Sequence, residues 1–111
     1  MEISNEQINK AFGIIFQEYR QKNNITQEKF AEILAKSTKT ISQIETGKDG
    51  TSKRTDIDFM NFLCITPNML YKQFITNPDL KQRVEIDEKI SELDSNKIEA
   101  LLKIIEILKE L

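Results

Sequence analysis

The stretch Ile25–Lys48, ITQEKFAEILAKSTKTISQIETGK, holds two short helical patterns separated by a break of a few residues. Thr26 stands where a capping hydroxyl is wanted, with Gln27 and Glu28 in the first turn and Phe30, Ala31, Ile33 and Leu34 on the side to be buried. This predicts a helix running to about Ala35. Ser37 is the next capping residue, Ile41 and Ile44 supply the buried side of a second helix, and Gly47 closes it just beyond the cap. Two such helices joined by a tight turn match helix-turn-helix geometry, and Ala31 suits a steep crossing that leaves no room for a larger side chain. Away from Ile41 and Ile44 the second helix presents Thr38, Lys39, Ser42 and Gln43. Short polar donors beside an ammonium suit base edges and phosphates.

Upstream, Ile8, Phe12, Ile15, Phe16 and Tyr19 recur at steps of three and four, predicting a helix from Asn5 to the Asn23-Asn24 pair, where a left-handed residue is tolerated. Ile14 widens its apolar face. Downstream, Asp49-Gly50 is a turn, Ser52 caps a fourth helix with Ile57, Phe59, Met60, Phe62 and Leu63 as its apolar set, and Thr66-Pro67 opens a fifth carrying Met69, Leu70 and Phe74. Asn77-Pro78 ends that helix and marks a boundary. Val84, Ile86, Ile90 and Leu93 then indicate a further helix, and Asp94-Ser95 cap a last one. No strand pattern, repeat or low-complexity tract interrupts this order. The fold class is all-α.

Composition narrows the function. The 111 residues fit one domain with an attached element. Absence of His removes His-based triads, His general bases and His-ligated metals. The single cysteine, Cys64, closes no disulfide within the chain, points to a reducing cytoplasm, and is expected as a small buried residue. No segment has the ~18–20 consecutive apolar residues of a membrane span, and no basic-then-apolar leader stands at the start. Acidic pairs such as Asp56 and Asp58, or Asp87 and Glu88, lie among other charges with no accompanying catalytic group. An enzyme is the weakest reading.

Ile25–Lys48 resembles the lambda-repressor-like, Xre-type helix-turn-helix family: a Thr-Gln opening, a central Ala, a Ser before the recognition helix and an Ile-Ser-x-Ile-Glu-x-Gly-Lys close. The resemblance runs from about Phe12 to Phe74 and implies a five-helix fold. It implies that Thr26 and Gln27 touch the phosphate backbone, that Ser37, Thr38, Lys39 and Gln43 face the major groove, and that Thr40 and Lys48 add phosphate contacts. Arg20 matches a position that pairs with the Glu at Glu45, bracing the first helix against the recognition helix. The turn departs from the family pattern of Gly followed by an apolar residue, reading Ala35-Lys36, and Lys53 and Asp56 replace usual aliphatics of the fourth helix.

Charge follows the same division. Residues 1–76 carry ten Lys and Arg against nine Asp and Glu, whereas 77–111 carry six against nine. Lys36, Lys39, Lys48, Lys53 and Arg54 make the segment from Lys36 to Arg54 net +3. That excess is moderate, so binding at physiological salt calls for two copies acting together. The last helix carries Ile98, Leu101, Leu102, Ile104, Ile105, Ile107, Leu108 and Leu111, too much apolar surface to remain solvated. Ile98, Leu101, Ile105 and Leu108, with Leu102 beside them, form one seam; Ile104, Ile107 and Leu111 form a second. Docking back on Ile8, Ile14 and Ile15 is one use of this surface, a homodimer seam the better one.

The sequence thus predicts a helix-turn-helix DNA-binding domain over 1–76 and a C-terminal helical dimerisation element over 77–111. The expected protein is a cytoplasmic homodimeric transcriptional regulator, more readily a repressor, that binds double-stranded DNA and needs no cofactor or metal. An antitoxin that uses the same domain on DNA and its C-terminal part on a toxin, or a module that binds only a protein partner, are the alternatives.

Overall fold

The computed structural model describes residues 2–111, and among them the chain is all-α. Seven α-helices occur in these residues: α1 (Asn5–Lys22), α2 (Gln27–Ile33), α3 (Thr38–Glu45), α4 (Lys53–Leu63), α5 (Pro67–Tyr71), α6 (Pro78–Ser91) and α7 (Ser95–Lys109), with a 3-10 turn, Lys72–Phe74, after α5. Two compact units result, one ending at Leu70 and the other spanning Tyr71–Leu111.

Helix starts in the first unit are local events. Ser4 accepts from the Gln7 amide while the Gln7 side chain accepts from the Ser4 amide, a reciprocal box. Thr26 accepts from the Lys29 amide at 3.1 Å, Ser37 from Thr40 at 3.0 Å and Ser52 from Thr55 at 3.1 Å. Each such cap contributes about 1 kcal/mol. The breaks use left-handed residues: Asn24 (φ 56°) after α1, Ala35 (φ 54°) after α2, Gly47 (φ 77°) after α3 and Cys64 (φ 58°) after α4. Leu34 is the C-cap of α2, so the helix stops two residues short of the expected Ala35, which instead makes the corner.

The core is aromatic at its centre. Phe16, Phe30 and Phe59 are fully buried, the Phe59 ring meeting Phe16 at 4.6 Å and Phe30 at 5.0 Å between centroids, both near edge-on. Such pairs contribute about 0.5–1.5 kcal/mol beyond burial. Phe12 of α1, Ala31 of α2, Ile41 and Ile44 of α3, Leu63 of α4, Ile65 and Leu70 complete it. Gly13 lets α1 lie directly on the end of α3: a Cβ there would stand 2.5 Å from the carbonyl oxygens of Ile44 and Glu45.

Several apolar positions differ from expectation. Ile33 and Ile57 are exposed, Leu34 only half-buried, and Phe62 lies at the surface, tilted against Phe30 at 5.6 Å. Periodicity finds the face of a short helix, but α2 and α4 are covered only along the line that meets the Phe16–Phe30–Phe59 cluster. Cys64 is exposed, not buried, because it turns the corner at the end of α4.

In the second unit Asn77-Pro78 begins a helix and does not end one: α5 stops at Tyr71 and the 3-10 turn after it at Phe74, with Ile75 as its C-cap. The Asn77 side chain accepts from the amides of Asp79 and Leu80, and Pro78 takes the first helical position. Lys72 pairs with Glu88 of α6 at 3.1 Å, and Asp94 caps α7. Among the described residues none of α6 or α7 is buried. Within α7 Ile98, Leu101 and Ile105 are half-buried, whereas Leu102, Ile104, Ile107, Leu108 and Leu111 are exposed. No described helix is long and apolar enough to cross a membrane.

Candidate DNA interface

The geometry of α3 follows from what fastens it. Ile41 and Ile44 are buried on one side, so residues about 100° per position around the axis from them face outward. Lys39 is exposed and Thr38, Thr40, Ser42 and Gln43 are half-buried. The sequence-predicted base-contacting residues Ser37, Thr38, Lys39, Ser42 and Gln43 therefore occupy one helix and its cap.

Both ends of α3 are closed. At the start, the Ser37 hydroxyl accepts from the Thr40 amide and also lies 2.8 Å from the Thr40 hydroxyl, so Ser37 and Thr40 brace each other at the surface. At the end, the Gln43 carbonyl accepts from the amides of Lys48 and Asp49, and the Ser42 carbonyl from the amide and hydroxyl of Thr46. This wraps the chain after Gly47 back over the last turn and leaves Lys48 exposed beside it. Gly47 is also pressed against α1, where a Cβ would meet Lys10 at 2.6 Å.

A buried ion pair ties α3 to α1. Arg20 Nε donates to Glu45 Oε2 at 2.6 Å and Nη2 to Oε1 at 3.0 Å, with both side chains almost fully enclosed. Arg20 Nη1 donates to the Ile25 carbonyl at 2.7 Å, which fixes the loop between α1 and α2 to the same point. The hydrogen bond to Glu45 holds the Arg20 pKa above its ordinary value against the opposing effect of burial. Two-pronged geometry with a third donor bond meets the condition under which such a pair offsets its desolvation.

Gln27 joins this network, a contact absent from the sequence reading. Its Nε2 donates to Glu45 Oε1 at 2.9 Å, and a carboxylate oxygen can only accept, so the amide orientation is set. Gln27 is half-buried in consequence, and Thr26 is exposed with its hydroxyl oxygen serving the α2 cap. Residues 27 and 45 lie on different helices, with no spacing rule connecting them. Gly13, not singled out from the sequence, did carry a signal there: a glycine inside a helix costs about 0.5–1 kcal/mol against Ala, so its presence marks a close approach.

The positive charge around α3 is not neutralised from within. Lys10, Lys22 and Lys29 pair with Glu6, Glu18 and Glu32 on their own helices. Lys36, Lys39, Lys48, Lys53 and Arg54 have no ion-pair partner among the described residues. An outward polar helix face bordered by free cations is what a polyanion with readable base edges requires.

Fold and site together define a helix-turn-helix domain. In agreement, the family model described as Helix-turn-helix matches residues 16–55, from the second half of α1 to the first turn of α4. The matched segment is a helix-turn-helix, similar to those of the Xre, lambda-repressor-like kind. Comparison with curated proteins and with solved structures gave no match.

Proposed function

We propose that the chain is a homodimeric repressor that binds a pseudo-palindromic operator, each copy placing α3 in a major groove. The observation that carries this reading is the α3 face itself: Thr38, Lys39, Ser42 and Gln43 turned outward on a helix fixed from behind by Ile41, Ile44 and the Arg20–Glu45 pair. In this reading Ser37, Thr38, Lys39, Ser42 and Gln43 address base edges, while Thr26, Gln27, Thr40 and Lys48 address phosphates. Gln27 does so with the hydrogen of its amide that Glu45 leaves free.

The DNA-binding part is residues 1–76 and the dimerisation element residues 77–111, in which α7 offers Ile98, Leu101, Leu102, Ile105 and Leu108. Two linked copies match the two-fold symmetry of an operator whose half-sites lie about one turn, ~34 Å, apart. Occupancy of a promoter then accounts for repression without a cofactor.

Selection of bound duplexes from a random pool, with the stoichiometry of the complex measured by light scattering, tests this. The expected result is a symmetric consensus bound by two copies. Recovery of unrelated duplexes with no salt-dependent affinity would remove DNA recognition from the account, and a single copy on an asymmetric site would remove the dimer.

A further inference from the structure

Apart from Leu102, which is exposed on the far side of Ile98, the aliphatics of α7 and Leu111 just beyond it fall into two sets by exposure. At about 100° per residue, Ile98, Leu101 and Ile105 fall within about 60° of the helix circumference and Ile104, Ile107, Leu108 and Leu111 within about 100° of it, further round. The first set is half-buried; every member of the second is more than half exposed, from 52% at Ile104 to 97% at Leu111. The second set is thus an open stripe, and Glu110, the C-cap of α7, keeps right-handed backbone angles (φ −85°, ψ −8°) that carry it on to Leu111.

Charge indicates its occupant. Lys103 and Glu110 flank the stripe on one side, seven positions apart and within about 20° of each other. Both are exposed, and neither has an ion-pair partner among the described residues, whereas Lys109 is already paired with Glu106. When two identical helices run antiparallel, like flanks face each other with reversed direction. A two-fold axis passing near Ile107 then sets Lys103 of each copy opposite Glu110 of the other, at both ends of the stripe. A parallel pair instead sets this flank against the side of α7 occupied by Leu101 and Leu108. Over Ser95–Leu111 three lysines balance three glutamates, so two copies approach without net repulsion.

We propose that two copies of this chain meet through antiparallel α7 helices, with Ile104, Ile107, Leu108 and Leu111 interdigitating between paired Lys103–Glu110 contacts. The inference rests on the homodimer reading; of the seam given above it keeps Leu108, moves the contact from Ile98, Leu101, Leu102 and Ile105 to the stripe around Ile107, and gives it a direction.

Sedimentation equilibrium on the full-length Lys103→Glu, Glu110→Lys and doubly exchanged variants tests it, with Ile107→Asp as a probe of the stripe. Each single exchange creates two like-charge contacts and is expected to weaken dimerisation about tenfold at low salt, less at 1 M salt, where the Debye length is about 3 Å. The double exchange restores the pairs and is expected to return the dimer to its original strength. Ile107→Asp is expected to give monomers. Single exchanges that dimerise like the parent chain would overturn the antiparallel register, and a dimeric Ile107→Asp would overturn the stripe, the homodimer standing in both cases. A parent chain that is monomeric across the concentration range would sink the homodimer reading itself.

Discussion

Ala35 turns the corner between α2 and α3 at φ 54°, a region where an L side chain costs roughly 1–2 kcal/mol. Part of that cost is recovered because alanine restricts the unfolded chain more than glycine does. Ala35→Gly is therefore expected to stabilise the fold by about 0.5–1 kcal/mol, seen as a higher urea midpoint at unchanged slope. An unchanged or lower midpoint would contradict the left-handed corner. On the recognition face, single residues divide by what they touch. Gln43→Ala is expected to relax preference at one operator position, at a cost of roughly 1–3 kcal/mol, because an amide can address a base edge with two bonds. Lys48→Ala removes a point charge and should weaken all duplexes alike, with the salt slope smaller by about one. Titrations of both variants against operator and random duplexes separate these outcomes; identical behaviour would refute the division.

At the level of elements, the orientation of α3 depends on α1. All three glycines of the chain lie on that seam, Gly13 against the Ile44 and Glu45 carbonyls, Gly47 against Lys10 and Gly50 against Asn9. Gly13→Ala favours helix propensity yet places a methyl 2.5 Å from two backbone oxygens, which cannot swing aside as a side chain can. The expectation is a net destabilisation of about 1–3 kcal/mol. Duplex affinity should also fall at temperatures where circular dichroism shows the variant folded. Full affinity in a folded variant would mean that α1 does not set the pitch of α3. Helix starts were legible because a cap is made by residues three apart: Thr26, Ser37, Ser52 and Asp94 all cap as their spacing predicts. The Arg20–Glu45 pair was reached through the family resemblance. Surface exposure of Ile33, Ile57 and Phe62 was not legible, since period identifies a helix face and not the area a neighbour covers. The bond from Gln27 to Glu45 spans two helices and has no sequence signal.

Across the whole molecule, apolar burial is unevenly shared. Every buried apolar residue lies at or before Leu70, so the first unit holds a core of its own, while α6 and α7 hold none among the described residues. Deleting residues 95–111 is accordingly expected to leave a folded monomer by light scattering. Its operator affinity should fall by about 100-fold or more, because the second half-site no longer benefits from the effective concentration supplied by the first. Retained dimers would assign assembly to another surface. One further consequence concerns Cys64, the sole thiol of the chain, exposed at the end of α4. A maleimide fluorophore attaches there to a single known atom of an unaltered polypeptide, so that slowed tumbling of the emission dipole on mixing with a duplex reports complex formation directly, without an engineered handle.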